Sequence, residues 1–205
     1  MKDNLITPAA SNLPVQQNAE KIVNVEKLGT LQQTNQFFVM NGIPGMPGVV
    51  PTAFNYSTTY YNLIVWGSEP FFEQKHVTIT KDRALVEIGN ITEELKSWLS
   101  PLTEEAIEAL KTFPCIIANE NKFYGKADED QRAVLAFITD IVNRTNGIEI
   151  YFHPLYGIPQ QRLNELHFEL GINGTKSFSE FNHSHWTVKE INLMEVLSEN
   201  GLKMI

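Results

Sequence analysis

AVLAFITDIVNRTNGIEIYFHPLYGIP, residues 133–159, sets two strand-length runs of alternating apolar residues on either side of Asn146-Gly147. That dipeptide tolerates positive φ, so the segment predicts a hairpin, the clearest one in the chain. Strands of this length joined by a tight turn predict a small, strongly bent sheet or a partial barrel. Pro159 predicts the start of a helix, as its first residue. Leu163, Leu166, His167 and Leu170 follow at helical spacing, and Gly171 closes the helix.

Working upstream, PCIIAN (114–119), ALVEI (84–88), HVTIT (76–80) and YNLIVW (61–66) each read as a strand. Two helices are expected between residues 92 and 112. Thr92 caps the first, with Glu93 and Glu94 at the positive end of its dipole, and Leu95, Trp98 and Leu99 on one face. Thr103 repeats the device before Ile107 and Leu110. Downstream, His185-Trp186-Thr187-Val188 alternates as a strand that buries Trp186 and Val188. Asn192 with Glu195 forms a capping box for the last helix, and Thr187 with Glu190 forms a rival one.

The expected fold is therefore α+β: a curved antiparallel sheet or small β-barrel packed by three or four short helices. Residues 61–205 form the compact domain, residues 21–60 a β-rich N-terminal extension and residues 1–20 a flexible leader. KIVNVEKLG (21–29) suits a half-exposed strand. From Leu28 to Tyr60 no residue is charged, and Gly and Pro cluster at 42–51, which denies that interval a long helix. An uncharged β-prone segment is poorly guarded against pairing with other strands, so residues 28–60 are expected either to pack as a sheet on the chain's own body or to dock on a protein partner or a second copy.

The chain has 205 residues and a formal net charge of −8, from 24 acidic and 16 basic side chains. That balance argues against coating duplex DNA, which requires many phosphate-neutralising cations. Cys115 is the only cysteine, so an internal disulfide and a thiolate metal cage are both ruled out. No signal-peptide pattern and no membrane-length apolar run are present, which leaves the cytoplasm as the expected compartment.

FNHSHW (181–186) raises the question of a metal. An H-x-H pair on a strand points both imidazoles the same way, and His153 is then the candidate third ligand beside His183 and His185. The other reading of the pair is structural, with His185 at a junction where its imidazole ties a loop to neighbouring backbone. His167, within an apolar stripe, reads as a hydrogen-bonded core histidine. Asp128, Glu129 and Asp130 read as a charged turn before the hairpin. Cys115, between Pro114 and Ile116, reads as a buried, inert thiol.

As a set, YNLIVWG, VTITKDRALV, YGKADEDQRAVLAFITDI, NGIEIYF, IPQQRLNELHFELGI and FNHSHWTVKEINLMEVL resemble an uncharacterised bacterial family of stand-alone proteins. A related, shorter module lies N-terminal to effector domains such as TIR in proteins of anti-phage conflict. The resemblance covers residues 60–200, and the H-W-x-V-K element carries it most specifically. In that pattern arginine often stands where this chain has His183, which leaves His185 as the matching histidine. The resemblance implies a binding or sensing role.

The expected function is non-enzymatic recognition through protein contacts in bacterial defence or regulation, with no cofactor. The candidate binding residues are Phe37, Phe38 and Tyr60 of the uncharged segment, Tyr124, Arg144, and His185, Trp186 and Lys189 of the H-W-x-V-K element. Two other classes stand beside it. One is a metal-dependent hydrolase or nuclease using His183, His185 and His153. The other is a nucleotide or single-stranded RNA binder that stacks bases on Phe123, Tyr124, Tyr151 and Phe152.

Overall fold

The computed structural model describes residues 35–39, 53–67, 76–87, 91–174 and 178–202, with backbone alone for 35–39, 53 and 54. The elements in chain order are β1 (Asn35–Val39), β2 (Ala53–Ser57), β3 (Tyr61–Val65), β4 (His76–Ile79), α1 (Glu93–Leu99), α2 (Glu104–Thr112) and β5 (Pro114–Ala118). They continue with β6 (Arg132–Arg144), β7 (Gly147–Pro159), α3 (Gln160–Glu165), β8 (His185–Lys189) and α4 (Leu193–Glu199). The leader at 1–20, the strand expected at 21–29 and the turn-rich stretch at 40–52 lie outside the described residues.

The long hairpin organises the main sheet, whose six strands run in the order β4-β7-β6-β5-β3-β8 and curl into a half-barrel. β5 pairs with Val134–Phe137 near the start of β6, and β4 pairs with Ile148–Tyr151 near the start of β7. The neighbours thus sit on diagonal corners of the hairpin. Along the hairpin the β6–β7 register shifts twice, skipping Leu155 on one strand and Thr139 on the other. Bulges raise the local twist, and two of them within one hairpin bend it strongly. The curl carries β4 back towards the end of β3, where the Trp66 indole donates to Thr78 O at 3.1 Å.

The sheet is mixed rather than wholly antiparallel. β3 and β5 run parallel because β4, α1 and α2 intervene and carry the chain back across. β1 and β2 form a separate antiparallel ribbon. At the boundary expected near residue 60, Tyr56 packs on Phe137 and Tyr60 on Phe113, with ring centroids 6.3 and 5.4 Å apart.

Local chemistry accounts for most helix starts. The Thr92 hydroxyl accepts from Leu95 N, and the Thr103 hydroxyl from Ala106 N. Asn192 accepts from Glu195 N while its amide donates to the Glu195 carboxylate, and Thr187 lies inside β8, so the rival box is not formed. α3 is shorter than its apolar stripe, and Pro159 caps it from the last position of β7. Beyond Glu165 the chain turns, which keeps Leu163, Leu166 and Leu170 buried and leaves His167 exposed rather than in the core.

Two further expectations are corrected. Ala84–Glu87 is not a strand, because Leu85 adopts φ +51° and interrupts extended pairing. The segment still covers the outer edge of β8, with Val86 N donating to Trp186 O at 3.0 Å. In the hairpin the turn residues are Thr145 and Asn146, while Gly147 pairs with Arg144. Gly147 is required by proximity: a Cβ there would stand 2.7 Å from Ile79 O of β4.

Tyr61, Leu63 and Val65 of β3, Ile116 of β5, and Ala133 and Leu135 of β6 face Leu163, Leu170, Phe181, Leu193 and Leu197 from the α3 and α4 side. Each fully buried side chain of this size stabilises the fold by ~1.5–3 kcal/mol. α2 lies on the opposite face, where Asn62 donates to Leu110 O and accepts from the Trp186 indole. No described helix is long and apolar enough to cross a membrane.

Candidate functional site

Alternation along β8 sends His185, Thr187 and Lys189 to the same face as their partners Val65, Leu63 and Tyr61. A 3-10 turn at Glu180–Asn182 brings Glu180 over that face. Lys189 Nζ lies 2.8 and 2.9 Å from the two Glu180 oxygens, and neither residue has any exposure. Asn173 N also donates to Glu180 Oε2, and the Tyr61 hydroxyl donates to Leu170 O at 2.6 Å. Burial lowers the Lys189 pKa, against the opposing pull of Glu180. Burial raises the Tyr61 pKa well above 10.0, and the Glu180 charge adds to the rise.

His185 is the third member of the cluster. Its Nδ1 lies 2.7 Å from His183 O, and a carbonyl only accepts, so Nδ1 carries the proton. Nε2 then faces Glu180 Oε1 at 3.7 Å, beyond hydrogen-bond distance, and is buried without a partner among the described residues. His183 itself is exposed and stacked on Phe178, with ring centroids 5.5 Å apart. The two imidazoles therefore part instead of converging, because β8 begins only at His185. His153 sits on β7 opposite Phe137. Among the described residues no group of three His, Cys, Asp or Glu side chains is placed to hold a metal ion.

The ends of β3 and β5, side by side because the pair is parallel, carry a second polar assembly. Glu120 Oε1 accepts from Ser184 N and Ser184 Oγ, both at 2.6 Å, while Gly67 N donates to Ser184 Oγ at 2.8 Å. Next to Glu120, buried Asn121 acts as a hub. Its amide donates to Asn164 Oδ1 at 2.7 Å, its Oδ1 accepts from Gln160 Nε2 at 2.8 Å, and its backbone oxygen accepts from Asn182 Nδ2 at 2.9 Å. Asn121 N donates to Phe181 O. Three chain segments are thus tied together: the loop after β5, the stretch from α3, and the turn before β8.

Each of those segments presents an aromatic side chain to solvent. Phe123 is 60% and Tyr124 49% exposed after β5, Phe168 is 85% exposed beyond α3, and Phe178 is 38% exposed before the 3-10 turn. These four are the exposed large apolar residues among the described side chains. A buried side-chain amide network holds the loops, and held loops can carry rigid contact groups.

The other predicted residues are distributed as follows. Trp186 and Lys189 are fully enclosed, so their place is in the scaffold and not on a surface. Tyr60 is buried on Phe113. Arg144 is exposed at the hairpin tip and paired with Glu149 at 3.1 Å, which also accepts from the Tyr151 hydroxyl. Tyr151 stacks on His76, and Phe152 is buried, so neither joins Phe123 and Tyr124. Phe37 and Phe38 lie in β1, where the backbone alone is described. Sequence reasoning missed Glu180, Asn121, Phe168 and Phe178. Phe168 was legible in one respect: it falls off the Leu163/Leu166/Leu170 stripe, where an aromatic has no core to fill. Compared with protein-family models, curated proteins and solved structures, the chain matches none.

Proposed function

We propose that this chain is a recognition protein that grips a protein partner through the aromatic groups on the three loops joined at Asn121. The observation that carries the reading is the placing of Phe123, Tyr124, Phe168 and Phe178 on segments tied by one buried residue, Asn121, through its side chain and its backbone. Monomeric surfaces spread their apolar groups thinly, and aromatic side chains supply much of the energy at interfaces. The flanking charges are mixed, with Lys122 and Lys126 beside Asp128, Glu129 and Asp130, which suits a protein surface better than a phosphate backbone. The setting we propose is bacterial defence or regulation, from the resemblance of residues 60–200 to a bacterial family whose shorter version precedes effector domains.

Affinity purification from cells with the wild-type chain and with Phe123→Ser, Phe168→Ser and Phe178→Ser tests this. A protein retained by the wild type and lost with the variants supports the reading. Equal recovery with all four chains, or salt-sensitive oligonucleotide binding that the variants abolish, overturns it. A second contact through residues 28–60 is favoured by the β1–β2 ribbon, which pairs only with itself among the described residues. Deleting residues 1–55 is expected to reduce association with a partner or a second copy; unchanged association removes that contact.

A further inference from the structure

The two bulges of the β6–β7 hairpin have a second consequence besides curvature. A cavity of about 440 Å³ lies among β2, α2 and the middle of the hairpin, within the size range of small-molecule sites. Phe137, Ile138 and Thr139 all line it. A regular strand sends consecutive side chains to opposite faces, so three consecutive lining residues are a product of the shift at Thr139. Leu155, the residue skipped on β7, lines the cavity too, as does His153. Both skipped residues therefore belong to the same wall.

The polar groups at this cavity share one character. Lys111 from α2, Asn55 from β2, Thr139 and His153 can all donate hydrogen bonds, and no carboxylate is among the lining residues. The Lys111 ammonium has three N–H groups, of which one reaches Glu108 Oε1 at 2.8 Å. The apolar wall is supplied by Phe137, Ile138 and Leu155. An apolar hollow with donors and a cation at its margin fits a molecule with a hydrocarbon body and one anionic acceptor end.

We propose that this cavity is a binding site for a small amphipathic acid, an apolar monocarboxylate whose carboxylate meets Lys111. None of its lining residues belongs to the three aromatic loops, so the site stands independently of the partner surface above. Calorimetric titration of the full chain with octanoate, and with 1-octanol as the neutral counterpart, tests it. Octanoate is expected to bind saturably and about tenfold more tightly than 1-octanol. Thr139→Trp fills the hollow from an exposed position, and is expected to weaken octanoate about tenfold while leaving the thermal midpoint unchanged. Lys111→Met is expected to bring octanoate down to the affinity of the alcohol. Absence of saturable octanoate binding, an affinity untouched by Thr139→Trp in a folded variant, or equal binding of acid and alcohol by the wild type would each overturn the assignment.

Discussion

Lys189 and Glu180 form a two-pronged ion pair, at 2.8 and 2.9 Å, in a place that admits no solvent to either side chain. Desolvating two charges is expensive, and breaking such a pair from one side strands the other charge in the interior. Lys189→Met is therefore expected to destabilise the fold by ~3–5 kcal/mol, while Lys189→Met with Glu180→Leu recovers much of that loss. Urea unfolding of the three proteins checks this. A double variant no more stable than the single one contradicts it.

The buried acids make the protein sensitive to alkali. Tyr61 and Cys115 have folded pKa values raised above 10.0 and 9.0, first by burial. A group with a raised folded value contributes stability fully below its unfolded pKa and loses it as pH climbs above that value. Lys189, whose folded pKa is lowered, works in the opposite sense below 10.5, but it is one group against two fully buried acids. Unfolding free energy is expected to fall between about pH 8.5 and pH 11, and Tyr61→Phe is expected to make the fall shallower. A flat profile for the wild type over that interval would sink the idea.

Gly147 makes a test of proximity rather than of turn type. A Cβ placed 2.7 Å from Ile79 O forces β4 and β7 apart, so Gly147→Ala is expected to destabilise by ~1–3 kcal/mol. Asn146→Ala, on an exposed turn residue with ordinary negative φ, is expected to change stability by no more than ~0.5 kcal/mol. The ranking of the two by thermal unfolding is the readout, and the reverse order would show that the turn governs.

Asn121 joins three loops through its side chain and backbone. Asn121→Ala leaves the Asn164 amide without its buried side-chain partner, a loss of ~1–3 kcal/mol, while Gln160 Nε2 keeps its second acceptor, Asn119 O, at 2.7 Å. Hydrogen exchange is expected to quicken at 160–166, while 180–184, held by the Asn121 backbone N and O that alanine keeps, stays slow. Unchanged exchange at 160–166 would mean that the Asn121 side chain does not hold that segment.

Several features were legible because neighbours a few residues away create them. Thr92, Thr103 and Asn192 cap helices through backbone groups three positions on. The alternation in 133–159 marks the hairpin, and the apolar setting of Cys115 marks its burial. His167 misled, since a stripe at helical spacing says nothing of where the helix stops, and α3 ends at Glu165. The rest depends on residues that meet only after collapse. Trp66 reaches Thr78 because the sheet curls, and Phe168 is left outside because α3 ends early. Asn121 reaches Asn182 because β3 and β5 run parallel, and Asn164 because the start of β6 lies between the ends of β5 and β7. Local sequence thus decided the elements and their caps, since short-range hydrogen bonds and side-chain alternation are complete within one segment. Tertiary packing alone decided the buried Glu180–Lys189 pair, the aromatic loops and the cavity at the bulges: the pair closes only once the 3-10 turn folds back over β8, and the other two are built from segments far apart in the chain.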